Sequence, residues 1–285
     1  MPYSHPDALV STEWLASHLS APDVRVVDGT WFPKESGRNA ATEYRSCHIR
    51  GAVHFDIDEI ADTGSELPHM LPPPEKMSSR MRKLGLGDGN RIVVYDAHGL
   101  LSAARVWWMM RVFGHRDVSV LDGGLPKWLA ENRPVEDLPP VPRQRHFNAT
   151  YDHTLVRELD QIRENLETKR EQVIDARSAE RFAGAADEPW PGRRSGRIPG
   201  SINLPFTDLI DPATKTLLPG SALRERIVRA GIDLNAPAVA TCGSGVSACV
   251  IALALYLVGK DDVAVYDGSW AEWGLRKDVP VTVGA

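Results

Sequence analysis

Pro237-Ala238-Val239-Ala240-Thr241-Cys242-Gly243-Ser244-Gly245-Val246-Ser247-Ala248 reads as a strand, a tight loop and the start of a helix. Residues 237–240 are apolar without alternation, the pattern of a strand covered on both faces. Gly243 and Gly245 let the loop curl tightly. The apolar run 248–258 that follows, eleven residues, is too short to span a bilayer and reads as a buried helix. A cysteine at the end of a parallel strand and just before a helix stands where α/β sheets present their chemistry.

The same loop suggests how the sulfur would be activated. Its main-chain N–H groups can converge on Cys242, and the helix N-terminus adds positive potential. Both favour the thiolate, in the range of about 3.5–7.5 found for activated cysteines. A lone cysteine before a helix is ordinarily a buried structural residue; the glycines and the strand–loop–helix position argue for the nucleophile. Cys249 lies inside the apolar run and reads as core, and Cys47 reads as a surface thiol without a role.

Moving outward, the chain repeats itself. Val26-Val27-Asp28-Gly29-Thr30 matches Val173-Ile174-Asp175-Ala176-Arg177, and His48-Ile49-Arg50-Gly51-Ala52-Val53 matches Arg197-Ile198-Pro199-Gly200-Ser201-Ile202. Val93-Val94-Tyr95-Asp96 matches Val239-Ala240-Thr241-Cys242, and Val120-Leu121-Asp122-Gly123-Gly124 matches Val265-Tyr266-Asp267-Gly268-Ser269. Subtracting positions gives offsets of 147, 149, 146 and 145, in one order. Short apolar strands alternate with helical patterns in each half, which predicts parallel sheets flanked by helices. The expected division is 1–134, a Pro-rich extended linker 135–148, and 149–285, with a site in the cleft between the halves. The first half has Asp96 where the second has Cys242. A carboxylate cannot carry sulfane sulfur, so the first half is expected to be non-catalytic.

Composition excludes several classes. With 285 residues, 42% hydrophobic and 25% charged, the chain suits two ordinary soluble domains. A net charge of -5 is not the footprint of a nucleic-acid binder. Three cysteines without CxxC or histidines at ligand spacing suggest neither a disulfide framework nor a metal site, and favour a reducing, cytoplasmic setting. The opening Met-Pro-Tyr-Ser-His-Pro has no secretory pattern. Trp107, Trp108, Trp270 and Trp273 read as core.

The Cys-Gly-Ser-Gly-Val-Ser loop, the segment Asp267-Gly268-Ser269-Trp270-Ala271-Glu272-Trp273 and the tandem layout resemble the mercaptopyruvate sulfurtransferases of the rhodanese superfamily over almost the whole chain. The resemblance implies two tandem rhodanese-like domains, no cofactor, and transfer of sulfur from 3-mercaptopyruvate through a Cys242 persulfide to thioredoxin, a small thiol or cyanide. It assigns Ser244, His69 and Asp58 to a proton relay; on their own terms His69 is a loop histidine between prolines and Asp58 a possible N-cap. It assigns Arg181 to the substrate carboxylate, a group arginine binds bidentately. Gly243, Gly245, Val246 and Ser247 complete the binding loop. The family's second arginine is replaced by Trp190; Arg193 or Arg194 is a substitute, or Trp190 lines a pocket for a bulkier ligand. Residues 183–195 read as a flap near the cleft. Thiosulfate-specific relatives carry basic residues after the cysteine, whereas Gly243 and Ser244 are neutral. A cysteine phosphatase would need arginine at position 248, which is Ala248. The remaining alternatives are a thiosulfate:cyanide sulfurtransferase and a non-enzymatic sulfur carrier.

Overall fold

The computed structural model describes residues 2–284. In the first half, strands β1 (Leu9–Val10), β2 (Val24–Asp28), β3 (His48–Ile49), β4 (Val53–His54), β5 (Arg91–Tyr95), β6 (Val118–Leu121) and β7 (Val135–Glu136) form a five-stranded sheet and a short ribbon. The sheet runs β1-β6-β5-β2-β4 with every neighbouring pair parallel. The second half supplies β8 (Val156–Arg157), β9 (Gln172–Asp175), β10 (Ile202–Asn203), β11 (Ala238–Thr241) and β12 (Val263–Tyr266), again all parallel, in the order β10-β9-β11-β12-β8. Read from its other edge, this is the first sheet's order, so the duplication seen in the sequence is a duplication of topology. The helices are α1 (Thr12–His18), α2 (Ala40–Ser46), α3 (Pro74–Lys83), α4 (Ser102–Val112), α5 (Gly124–Ala130), α6 (Leu159–Thr168), α7 (Ala179–Ala183), α8 (Gly220–Arg229), α9 (Ala248–Leu257) and α10 (Ser269–Trp273).

The central strands β5 and β11 are buried almost throughout, as unbroken apolar runs require. α4 and α9 are buried on nearly all sides because one side of each packs on its own sheet and the other on its counterpart. The two halves therefore do not bury separate cores. One apolar cluster runs from the first sheet through α4 and α9 into the second, and only the outer sheet faces have cores of their own. Trp107, Trp108, Trp270 and Trp273 are all core, as expected.

A charge sits inside this shared core. Arg105 of α4 is fully buried and its Nη1 lies 2.7 Å from Asp267 Oδ1 of the other half. Burial works against the guanidinium's charge, but Asp267 and Cys249 outweigh it and hold its pKa above the ordinary value. Asp267 Oδ2 also accepts the N–H of Leu71 at 2.8 Å, again across the halves.

The segment 135–148 is extended, as its prolines dictate, but it is not a free tether. Val135–Glu136 pairs antiparallel with His48–Ile49, and Phe147 is buried. Beyond it, Thr150 and Asp152 donate to Phe113 O and Val112 O, so the chain stays on the first half until β8. Cys47, expected at the surface, is half-buried, and burial raises its pKa.

The duplication is broken at one informative place. Asp122 occupies the first-half position of Asp267 and likewise accepts an N–H from the other half, Leu217 N at 2.9 Å. Adding the offset of 145 to Arg105 gives Val250, so Asp122 has no matching arginine. Burial pushes its carboxyl up to about 6. The folded protein thus keeps a proton that the unfolded chain loses near pH 4, and stability falls as pH rises toward 6 and stays lowered above it. Asp122→Asn keeps the acceptor and removes the charge. Its thermal midpoint is expected to match the wild type near pH 4 and exceed it at pH 7, measured by calorimetry across that range.

Candidate active site

β11 delivers Cys242 into the interior, where it is 1% exposed. Its N–H donates to Ser269 Oγ at 3.2 Å, and that hydroxyl donates to Tyr266 O at 2.8 Å. Ser269 stands at φ 48°, a left-handed conformation that costs a residue with a side chain roughly 1–2 kcal/mol. The equivalent residue in the first half is Gly124, at φ 52°. The serine thus accepts strain where glycine would not, and its hydroxyl is what the second half gains. Trp270 N and Ala271 N donate to Cys242 O and Gly243 O at 3.0 and 2.7 Å, so the first turn of α10 clamps the loop.

The six N–H groups from Gly243 to Ala248 donate to no oxygen among the described residues. Buried N–H groups ordinarily have partners. The first half shows what such a loop accepts. Buried Asp96 receives N–H groups from His98, Leu101 and Ala103 at 2.8, 2.7 and 2.8 Å. Gly245, at φ 78°, has no room for a side chain: a Cβ would lie 2.9 Å from Arg105 Nη1 and from Asp267 O. Val246 is buried in the core, and Ser247, half-buried, immediately precedes α9.

His69 and Asp58 are together: Nδ1 of the buried imidazole is 2.6 Å from Asp58 Oδ1. Asp58 caps no helix; its second oxygen accepts Trp31 Nε1–H at 2.9 Å, and the Trp31 ring meets His69 edge-on. Burial raises the Asp58 carboxyl, but His69, Trp31 and Lys34 outweigh it and hold it below the usual range. The His69 carbonyl accepts from Arg105, which also reaches Gly245 O at 3.3 Å, tying the relay loop to the cysteine loop. Ser244 is buried in the loop, and no hydrogen bond joins its hydroxyl to His69 among the described residues.

Arg181 reaches the cysteine loop at Gly243. Its Nη2 is 3.0 Å from where a Cβ on Gly243 would stand, and the Trp190 ring is 2.8 Å from the same point. Glu188 holds Arg181 through both oxygens and pairs with Arg177, which is bound to Asp175 at 2.6 Å. Arg193 donates to Ala271 O and Pro191 O, and Arg194 to Gly274 O, Trp273 O and Val279 O. Both guanidinium groups tie 183–195 to α10 and the residues after it, and the Trp190 ring lies against the cysteine loop at Gly243. Sequence reasoning missed Ser269, Glu188, Trp31 and Arg105. A charged residue in the apolar helix 102–112 was the available signal for Arg105.

Two parallel sheets of one topology, with a strand-terminal cysteine loop in the second, define a tandem α/β protein with one candidate nucleophile. The chain matches the Rhodanese-like domain family over residues 11–131 and 158–276 and belongs to that family. It is a transferase, of the sulfurtransferase class. It is similar to human 3-mercaptopyruvate sulfurtransferase, 44% identical over 94% of this chain and 92% of that protein. Mouse thiosulfate sulfurtransferase is also 44% identical, over 96% and 94%. The crystal structure of Escherichia coli SseA, described with the rhodanese fold of 3-mercaptopyruvate sulfotransferases, superposes with a TM-score of 0.85 at 37% identity, covering 93% of this chain and 99% of that one. No helix among the described residues is long and apolar enough to cross a membrane.

Two substitutions test the loop. Cys242→Asp gives the second half the carboxylate the first already has; relative to Cys242→Ser it is expected to unfold a few degrees higher while remaining inactive, read by calorimetry. Ser269→Gly relieves the left-handed strain but strips the Cys242 N–H of its partner. Its thermal midpoint is expected to hold while kcat/KM falls roughly tenfold, the value of one such hydrogen bond.

Proposed function

We propose that the protein takes sulfur from 3-mercaptopyruvate onto Cys242 as a persulfide and passes it to a thiol or cyanide, releasing pyruvate. One observation carries this reading. The N–H groups from Gly243 to Ala248 donate to no oxygen among the described residues, while the corresponding loop of the first half turns three N–H groups onto the Asp96 carboxylate. A loop built for a negative charge, with a sulfur in its mouth, is suited to a thiolate and then to an anionic persulfide. In this division 1–134 is non-catalytic, 135–148 joins, and 149–285 carries the chemistry.

The Cys242 thiolate attacks the donor's sulfur. The new S–S bond forms as the donor's C–S bond breaks, and that electron pair leaves on carbon as the enolate of pyruvate. The proton carried by the donor thiol ends on that carbon, which gives pyruvate and leaves Cys242 with an anionic outer sulfur. Asp58, facing His69 Nδ1, holds the tautomer that leaves Nε2 to exchange the proton with Ser244 or the donor; catalytic hydrogen bonds are often longer before substrate binds. Arg181, oriented by Glu188, takes the donor carboxylate. An acceptor thiolate, from a small thiol or a thioredoxin-type protein, then attacks the outer sulfur and frees Cys242. Three free cysteines suit a reducing, cytoplasmic setting.

Thiosulfate is the second donor to weigh, because a thiosulfate sulfurtransferase is as similar as a mercaptopyruvate enzyme. Against it, the loop has no basic side chain, and Trp190 and Arg181 leave none room at Gly243. Mass spectrometry after exposure to 3-mercaptopyruvate without acceptor is expected to find one added sulfur atom on Cys242 and none on Cys242→Ser. kcat/KM is expected to favour 3-mercaptopyruvate over thiosulfate; the reverse preference overturns the donor.

A further inference from the structure

α4 and α9 begin at the Asp96 and Cys242 loops, and their far ends meet the N-terminal arm. Ser4 N donates to Leu257 O at 2.8 Å, and the His5 ring stacks on Tyr256 at 4.1 Å. Between arm and helices lies a cleft of about 160 Å³ lined in part by Arg111, Tyr256, His5 and Arg116. A smaller recess adjoins it, sharing Arg111 and Tyr256 and adding Trp107.

Arg111 is only 7% exposed, yet among the described residues it donates to no oxygen and pairs with no carboxylate. Its guanidinium packs on Tyr256 at 4.1 Å and on Trp107 at 5.0 Å. The last turn of α4 favours a cation, which accounts for a basic residue here but not for its standing without a carboxylate partner among the described residues. A guanidinium that lines a cleft and can only donate calls for an acceptor there, and by its charge for a negative one. Water accepts too but leaves the charge unpaired, against the ordinary rule for buried charge. Asp7 and Asp117 also line the cleft, but their side chains are 97% and 66% exposed and flank Arg91, at 4.0 and 3.9 Å.

We propose that this cleft binds a small oxyanion, a carboxylate or an inorganic oxyanion, on the N–H fork of Arg111. The volume is close to that of a cavity that admits benzene, so the ligand has on the order of six heavy atoms. Arg111 and Trp107 belong to the first half, Tyr256 to the second and His5 to the arm. An occupant therefore joins all three and stabilises the packing of α4 on α9. The site lies six residues along α4 from Arg105, about 9 Å at 1.5 Å per residue, so it is separate from Cys242.

The test is thermal unfolding of the full chain with sodium phosphate or sodium pyruvate, against sodium chloride of equal ionic strength. The wild type and Arg181→Gln, which removes the proposed carboxylate anchor beside Cys242, are expected to show the same saturable rise in midpoint. Arg111→Gln is expected to lose it, and Arg111→Lys, which keeps the charge and removes the fork, to bind roughly tenfold more weakly. A response to pyruvate alone identifies a carboxylate site, and a response to phosphate alone an inorganic one; both support the proposal. It is overturned if neither anion exceeds chloride, if Arg181→Gln abolishes the response, or if the response survives Arg111→Gln. Should Arg111→Gln fail to fold, an unchanged affinity in Arg111→Lys overturns it instead.

Discussion

Arg105 carries a permanent charge into the middle of the molecule, and the cleft is arranged around its neutralisation. Asp267 supplies the countercharge from the opposite half, while the carbonyls of His69 and Gly245 take further N–H groups. One side chain thus sets the relay loop, the cysteine loop and the turn before α10 against each other. Removing either partner alone would leave the other charge buried and uncompensated, a loss of several kcal/mol. The seam between the halves is thus held by an ion pair as well as by a continuous apolar core.

The two halves answer one structural demand in two ways. A curled loop at the end of the central strand exposes N–H groups that need an anion. In the first half the answer is built into the backbone's own sequence as Asp96. In the second it is a sulfur, whose charge depends on protonation and on what it carries. The exchange of Gly124 for Ser269 belongs to the same divergence, since a residue that only completed a turn became one that fixes the cysteine's backbone.

The layout was legible because it repeats: two matching sets of apolar strands at nearly one offset imply two matching sheets, whatever the loops do. The resemblance named Cys242, Arg181, His69 and Asp58 as expectations; of these, the structure puts His69 against Asp58 and Arg181 against the loop at Gly243. What could not be read were contacts between distant segments. Glu188 on Arg181 and Trp31 on Asp58 depend on where side chains fall across a loop, which periodicity does not encode. The continuous core was hidden for a related reason. An all-apolar helix says that both its sides are covered, without saying that the second cover is the other half of the chain.

The Trp190 ring lies across Gly243 on a segment fastened by Glu188 at one side and by Arg193 and Arg194 at the other. The sulfur beneath is almost wholly withdrawn from solvent. A reagent that meets the protein by random collision finds an indole, not a thiol. Reaching that sulfur from solvent therefore requires parting the indole from the glycine.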